Sequence, residues 1–224
     1  MLKVLIADDH PLFRLALRQA VAGIDTGVRI TEADDLDAAR AQLAEHPDTD
    51  LALLDLHMPG NHGLMGLASL RAEFPAVAVA MVSAHDEPDT IRRALAYGAA
   101  GFIAKRAGLE DLQTALRAIL ACQTWIPPER RADVAATGTD AGDGTLATRL
   151  NTLSPQQFRV LALVAQGRLN KQIAAALAIQ ERTVKAHVTA IFEKLGVRNR
   201  TQAGVLLSTL QLTAREHDDP AAGA

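Results

Sequence analysis

Acidic, hydroxyl and ammonium side chains stand where buried strands are predicted to end in the first half of the chain. Each follows a short apolar run: Asp8 and Asp9 follow KVLIA, Asp55 follows LALL, Ser83 and Ala84 follow VAVAMV, and Lys105 follows GFIA. The carboxyl ends of parallel strands meet at one edge of a sheet, so we expect these side chains to converge. Three carboxylates within about 4–6 Å of one another raise at least one pKa strongly unless a cation is present. The pattern therefore predicts a bound divalent cation, for which oxygen-preferring Mg²⁺ is the best candidate.

The predicted cation also makes one carboxylate a candidate nucleophile. We expect Asp9 and Asp55 to bind Mg²⁺ directly, Asp8 to act through water, and the backbone carbonyl of His57 to complete the protein ligands. A carboxylate held beside Mg²⁺ can attack a phosphoryl group. The ion and Lys105 would neutralise the charge on the phosphoryl oxygens.

Two simpler interpretations compete with this site. A single aspartate at a strand end is more often a helix cap or a turn residue, but four matched strand ends argue against that explanation. Four histidines on nearby loops suggest a transition-metal site, yet their spacing fits no common zinc pattern: His10, His57, His62 and His85. We instead expect His57 and His85 to tune the access of water to the site.

The first half of the sequence alternates strand and helix patterns. Predicted strands cover Lys3–Ala7, Val28–Thr31, Leu51–Leu54, Val77–Val82 and Gly101–Ala104, and predicted helices cover 11–22, 35–45, 63–73, 87–97 and 109–120. Five such alternations predict a doubly wound α/β fold with a five-stranded parallel sheet. Strands buried on both faces explain why the runs are continuously apolar.

These motifs together resemble the receiver domain of bacterial two-component response regulators. The resemblance covers residues 1–122 and rests on DD at 8–9, DLHMPG at 55–60, SA at 83–84 and FIAK at 102–105. It implies a flavodoxin-like fold, Mg²⁺, and phosphotransfer from a sensor histidine kinase to Asp55. It also implies that Ser83 and Ala84 form a switch with Phe102, which turns inward behind Ser83. Arg106 follows Lys105 where many receivers have proline.

The second half of the chain differs in charge and in pattern. Residues 1–124 contain 11 basic and 17 acidic residues, a net charge of −6, whereas residues 149–215 contain 10 basic and 2 acidic residues, a net charge of +8. Helical patterns fall near 155–166, 170–177, 181–195 and 201–211. In the third helix an apolar stripe of Val184, Val188, Ile191 and Leu195 leaves the basic side chains on another face. This arrangement indicates an all-α helix-turn-helix domain that binds double-stranded DNA.

The stretch LSPQQFRVLALVAQG…NKQIA…TVKAHVTAIFEKLGVRNRTQA resembles the LuxR-type DNA-binding domain. With the receiver, the whole chain resembles a response regulator of the NarL/FixJ type. The resemblance implies DNA contacts from six residues: Lys171, Arg182, Thr183, Val184, Lys185 and His187. It also implies a homodimer that forms through helix 201–212, with contacts from Val205, Leu206 and Leu210, and an inverted-repeat operator. Three residues depart from the family pattern, namely Gln157 and Gln172, where glutamates are common, and Gln180, where serine or threonine usually caps the recognition helix.

These observations predict four segments: a receiver domain at 1–124, a linker at 125–148, the helix-turn-helix domain at 149–215 and a flexible tail at 216–224. A content of 49% hydrophobic residues excludes general disorder, and we expect a cytoplasmic, non-membrane protein that is a regulator rather than an enzyme. Two other functions stay open, an aspartyl-phosphate hydrolase of the haloacid dehalogenase kind and an orphan regulator that needs no phosphorylation. The receiver could inhibit DNA binding by shielding the basic helix or by leaving the dimer unformed, and the charge asymmetry favours shielding.

Overall fold

The computed structural model describes residues 1–61, 63–137 and 141–208. The first part of the chain alternates strands with helices. In chain order these are β1 (Lys3–Ala7), α1 (Pro11–Ala22), β2 (Arg29–Ala33), α2 (Leu36–Glu45), β3 (Leu51–Asp55), α3 (Leu64–Glu73), β4 (Ala78–Ser83), α4 (Pro88–Ala96), β5 (Gly101–Ala104) and α5 (Leu109–Leu120).

The five strands form one parallel sheet in the order β2-β1-β3-β4-β5. The predicted doubly wound α/β fold is therefore confirmed. The order reverses between β1 and β3, which is the position where open parallel sheets place their ligand sites. β3 extends to Asp55 and β4 to Ser83, so both residues are the last of their strands.

The sheet packs on both faces, which explains its continuous apolar strands. Neighbouring residues in a strand point to opposite faces, so Leu54 and Met81 pack in one apolar layer while Leu53 and Val82 pack in the other. The central strand β3 is buried along its whole length. The packing thus holds the carboxyl-terminal ends of the strands in fixed positions relative to one another.

The second part of the described chain is helical. A short 3-10 helix (Pro128–Arg130) leads into α6 (Arg131–Ala136), α7 (Ala141–Leu150), α8 (Pro155–Ala165), α9 (Asn170–Ala176), α10 (Glu181–Leu195) and α11 (Arg200–Ser208). Ser154 caps α8, since its hydroxyl oxygen accepts a hydrogen bond from Gln157 N at 3.3 Å. Val184, Ile191 and Leu195 of α10 are buried, as the predicted apolar stripe requires.

Helix α7 lies in and just beyond the segment predicted to be a flexible linker. Its side chains Leu146, Ala147 and Leu150 are buried, and the helix packs against α10. The sequence analysis missed this helix because glycine and threonine dominate the segment and conceal three apolar residues at helical spacing. The bounds of the linker stay a prediction, and the predicted tail at 216–224 lies outside the described residues.

The described helices differ from membrane-spanning ones in length and composition. None of them combines the length and the apolar character that crossing a bilayer requires.

Candidate functional site

The carboxyl-terminal edge of the sheet brings together Asp8, Asp55 and Lys105, which follow or end β1, β3 and β5. Lys105 Nζ lies 2.9 Å from Asp55 Oδ2 and 2.8 Å from Asp8 Oδ2. Asp8 is 1% exposed and Asp55 is 2% exposed, so both carboxylates lie in a pocket rather than on the surface. The structure therefore places three of the predicted site residues in direct contact.

His10 also lies in this pocket, where the sequence analysis placed a nearby loop histidine but no ligand. Its Nδ1 lies 2.7 Å from Asp9 Oδ1 and 3.1 Å from Asp8 Oδ1, and its backbone N–H donates to Asp8 Oδ1 at 2.8 Å. The sequence offered one signal for this role, because His10 directly follows the two aspartates that are predicted to bind the metal.

The donor atoms of this pocket fit a divalent cation. One candidate ligand atom from each of Asp8, Asp9, His10 and Asp55 lies within 4.8 Å of all the others. Asp8 Oδ2 and Asp9 Oδ1 are buried and have no hydrogen bond to a described residue, although each lies close to a nitrogen of Lys105 or His10. Clustered carboxylates of this kind are stabilised by a bound cation such as Mg²⁺.

Burial raises the pKa of Asp55 above its usual range. The hydrogen bond from Lys105 opposes this effect, and the charge of Asp8 adds to it. The raised pKa means that the charged form of Asp55 has a free-energy cost in the pocket without further positive charge. A bound cation would remove this cost.

The tight turn that follows β3 forms hydrogen bonds with the main chain of Asp55. Asn61 is buried, and its Nδ2 donates to the backbone oxygens of Asp55 at 2.7 Å and Leu56 at 3.2 Å. Gly60, which follows Pro59, has φ +76°, a conformation that glycine adopts without strain. The backbone N–H of His57 donates to Asp55 Oδ1 at 3.3 Å, so the His57 main chain is adjacent to the nucleophile candidate. The sequence analysis missed Asn61, since a polar residue in a turn is unremarkable by itself.

The predicted switch residues lie on the neighbouring strands. Ser83 is fully buried and its Oγ accepts a hydrogen bond from His85 N at 3.0 Å, while Ala84 is exposed. Lys105 N donates to Ser83 O at 2.7 Å, which joins the loops that follow β4 and β5. Phe102 has no exposed surface and packs in the apolar core, and its role as a switch stays a prediction.

The imidazoles of His57 and His85 lie edge to face with 5.0 Å between their ring centroids, and the backbone N–H groups of these residues donate to Asp55 and Ser83. This position suits the predicted effect on water access. His62, the other histidine of this predicted group, lies outside the described residues.

Helix α10 presents a basic face to solvent. Arg182 and Lys185 are exposed, with 67% of the Lys185 side chain accessible and its Nζ 3.4 Å from Glu181 Oε1. Thr183 and His187 are half-buried, and Lys171 on α9 is exposed. Val184, which the resemblance also placed in or near the groove, has a fully buried side chain, and its contribution to DNA binding stays a prediction.

The predicted dimer residues on α11 differ in exposure. Val205 is 65% exposed, Leu206 is half-buried, and Leu207 faces the core. Leu210 lies outside the described residues.

The three departures from the family pattern have distinct structural outcomes. Gln157 Oε1 accepts hydrogen bonds from Lys194 Nζ at 2.8 Å and Ser154 N at 3.0 Å, so a neutral side chain keeps these contacts. Gln172 Oε1 accepts from Leu169 N at 2.8 Å. Gln180 makes no side-chain cap hydrogen bond to α10, as the sequence predicted.

Comparisons with known proteins agree with this arrangement of two parts. The family described as "Response regulator receiver domain" matches residues 4–117, and the family described as "Bacterial regulatory proteins, luxR family" matches residues 151–207. The first match contains the acidic pocket, and the second contains α8, α9, α10 and most of α11.

Two curated relatives align with this chain over nearly all of their own length. The chain is 42% identical over 217 residues to the Glycerol metabolism activator of Pseudomonas putida, covering 96% of this chain and 98% of that protein. It is 34% identical over 202 residues to the Nitrate/nitrite response regulator protein NarL of Escherichia coli K12, covering 90% and 93%. A solved structure of RcsB from Salmonella enterica serovar Typhimurium, bound to promoter P1flhDC in the presence of phosphomimetic BeF3-, is 26% identical with a TM-score of 0.53, covering 93% and 98%. The chain therefore belongs to the response regulators of two-component systems that join a receiver domain to a LuxR-type helix-turn-helix domain.

Proposed function

We propose that Asp55 accepts a phosphoryl group from a sensor histidine kinase and that this modification controls transcription through DNA binding by the helix-turn-helix domain. The observation that carries the proposal is the buried carboxylate of Asp55, held 2.9 Å from Lys105 Nζ beside two further aspartates at the edge of the sheet. Membership of the response regulators supports the same role for the whole chain.

In the proposed reaction a carboxylate oxygen of Asp55 attacks the phosphorus of a phosphohistidine. The P–N bond breaks, and the leaving imidazole nitrogen takes up a proton. Lys105 Nζ is close enough to neutralise a phosphoryl oxygen, and the Ser83 hydroxyl can donate to another after a small rotation. Mg²⁺, held by Asp8, Asp9, Asp55 and the His57 carbonyl, would supply the positive charge that the transferred group requires.

We propose α10 as the helix that enters the major groove. Arg182 and Lys185 are exposed, and with Thr183 they lie near the N-terminus of the helix. In helix-turn-helix proteins, side chains at this position reach the base edges. Lys171 and His187 are assigned to the phosphate backbone. The promoter complex of the RcsB relative supports this use of the domain.

We propose that activation proceeds by homodimer formation on an inverted-repeat operator rather than by release of a shielded helix. The exposure of Arg182 and Lys185 supports this choice, because the main contacts of the receiver with the second domain join α3 to α8 and α4 to α7, not to α10. Glu73 of α3 lies 3.8 Å from Arg159 of α8. Val205, Leu206 and Leu210 are the proposed dimer contacts.

Incubation with Mg²⁺ and a small labelled phosphodonor tests the proposal. We expect stable, near-stoichiometric labelling of the wild-type chain, its loss in Asp55→Asn, and its retention in Asp34→Asn, an exposed aspartate after β2. Rapid release of labelled phosphate would instead support the hydrolase alternative. No labelling of the wild type would support an orphan regulator and overturn the proposal.

A further inference from the structure

Four charged side chains connect the two loops beside the pocket to the start of the interdomain segment. We call Asp86, Arg106, Glu129 and Arg130 the linker clamp. Arg106 Nη2 pairs with Asp86 Oδ2 and also lies 2.7 Å from Glu129 Oε1. Arg130 donates from Nη2 to Asp86 Oδ1 at 3.2 Å and from Nε to Asp86 Oδ2 at 3.3 Å. One carboxylate thus binds guanidinium groups from the β5–α5 loop and from the 3-10 helix.

Asp86 is the buried member of the linker clamp. It is 7% exposed, whereas about half of the Arg106 side chain is accessible. Burial favours the neutral form, but hydrogen bonds from Arg130 and Arg106 outweigh it and hold the pKa of Asp86 below its usual range. A buried charge that depends on two partners is sensitive to the loss or movement of either.

The linker clamp begins next to the phosphoryl pocket. Asp86 lies three residues after Ser83, and Arg106 directly follows Lys105. The bond from Lys105 N to Ser83 O at 2.7 Å joins the two loops between these points. A phosphoryl group on Asp55 replaces the single negative charge of the carboxylate with about two and adds new acceptor oxygens within reach of Lys105. A movement of Lys105 or Ser83 toward the phosphoryl group would therefore also displace Arg106 and Asp86, which lie on the same two loops.

The other end of the linker clamp adjoins Trp125. Phe102 N donates to Trp125 O at 2.9 Å, so this segment lies along the free edge of β5. Arg106, Trp125 and Glu129 line one cavity of about 280 Å³. Trp125 is the single tryptophan of the sequence, so its emission reports on this segment alone.

We propose that Asp86 is a positioning residue that couples the phosphoryl pocket to the interdomain segment through the linker clamp. The inference rests on the proposed phosphorylation of Asp55. Phosphorylation shifts the loops that carry Asp86 and Arg106, the bonds to Arg130 and Glu129 change, and residues 125–130 move relative to β5.

The test follows Trp125 emission in the full-length chain during titration with beryllofluoride and Mg²⁺. We expect a saturable change in the wild type and a several-fold smaller change in Arg130→Gln and in Asp86→Asn. The double variant should lose no more than the stronger single variant, because both residues act through one contact. Asp86→Glu should recover part of the amplitude. Arg117→Gln, on the exposed side of α5, is the matched control and should respond as the wild type does.

Labelling of Asp55 by a small phosphodonor, measured in parallel, separates the two proposals. Full labelling of Arg130→Gln with a reduced Trp125 response supports the inference. Full wild-type amplitude in Arg130→Gln, or a silent Trp125 in labelled wild type, overturns the inference and leaves the proposed function intact. Absence of labelling in the wild type overturns both.

Discussion

At the scale of single residues, opposing electrostatic effects govern Asp55. Burial beside Asp8 raises its pKa, and Lys105 at 2.9 Å works in the opposite direction. The same features that make the carboxylate costly to charge exclude water from a phosphoryl group attached to it. The pocket is thus suited to a modification that must persist long enough to be read.

Removal of the His85 imidazole should shorten the lifetime of phosphorylated Asp55. The ring packs against His57 at 5.0 Å over the pocket, so His85→Ala opens a path for water. We expect dephosphorylation about three- to ten-fold faster, equivalent to about 1 kcal/mol of barrier. The loss of label over time measures this rate. His46→Ala, at the end of α2, is the control, and an unchanged rate in His85→Ala would contradict the assignment.

Lys185 and Lys171 should differ in how their removal affects DNA binding. Lys185→Ala is expected to weaken binding to the preferred operator by about 1–3 kcal/mol and to change sequence preference, if the side chain contacts a base. Lys171→Ala should weaken all sequences alike and reduce the salt dependence by about one counterion. Binding titrations on the operator and on unrelated DNA distinguish them. Equal weakening on both DNAs would place Lys185 on the backbone.

At the scale of elements, the strands position the side chains of the site, and the loops that follow the strands supply further contacts. Parallel pairing of β1, β3, β4 and β5 fixes the spacing of the residues at their ends. The turn at Gly60 and Asn61 then supports the Asp55 main chain. The start of α10 is less well satisfied, since Gln180, the residue before the helix, makes no side-chain cap hydrogen bond.

A serine at position 180 should therefore stabilise α10. The hydroxyl of Gln180→Ser can accept from a backbone N–H of the first turn, a contact worth about 0.5–1 kcal/mol. Thermal unfolding of the full-length chain should show a higher midpoint for the transition of the second domain. Gln180→Ala, which lacks the acceptor, is the control. A serine variant no more stable than the alanine variant would show that this helix end is already satisfied in another way.

At the scale of the whole molecule, the receiver contacts the DNA-binding domain away from its basic helix. Glu73 accepts from Arg40 Nε at 2.8 Å and lies 3.8 Å from Arg159 of α8. A cavity of about 400 Å³ separates parts of α2 and α3 from α8 and α9. Buried apolar residues of both domains also belong to one continuous cluster, so apolar packing accompanies this ion pair at the described interface.

The isolated second domain should bind DNA more weakly than the phosphorylated full-length chain. We choose residues 141–224 because the buried Leu146, Ala147 and Leu150 belong to the packing of this domain. Dimerisation through the receiver places two domains on one operator, and the fragment lacks that gain in effective concentration. Operator titrations of both proteins provide the measurement. A fragment that binds as tightly as the phosphorylated chain would indicate shielding instead.

The amino-acid sequence by itself determined the parallel sheet, the acids at its edge and the helix-turn-helix, because strand burial, strand–helix alternation and helical periodicity are local and repetitive signals. Tertiary structure decided the rest. The fold alone brings His10 to Asp55 and Asp86 to Arg130, residues that are far apart in the chain. The role of Asn61 depends on the shape of the turn after β3, and the stability of α7 depends on packing against α10.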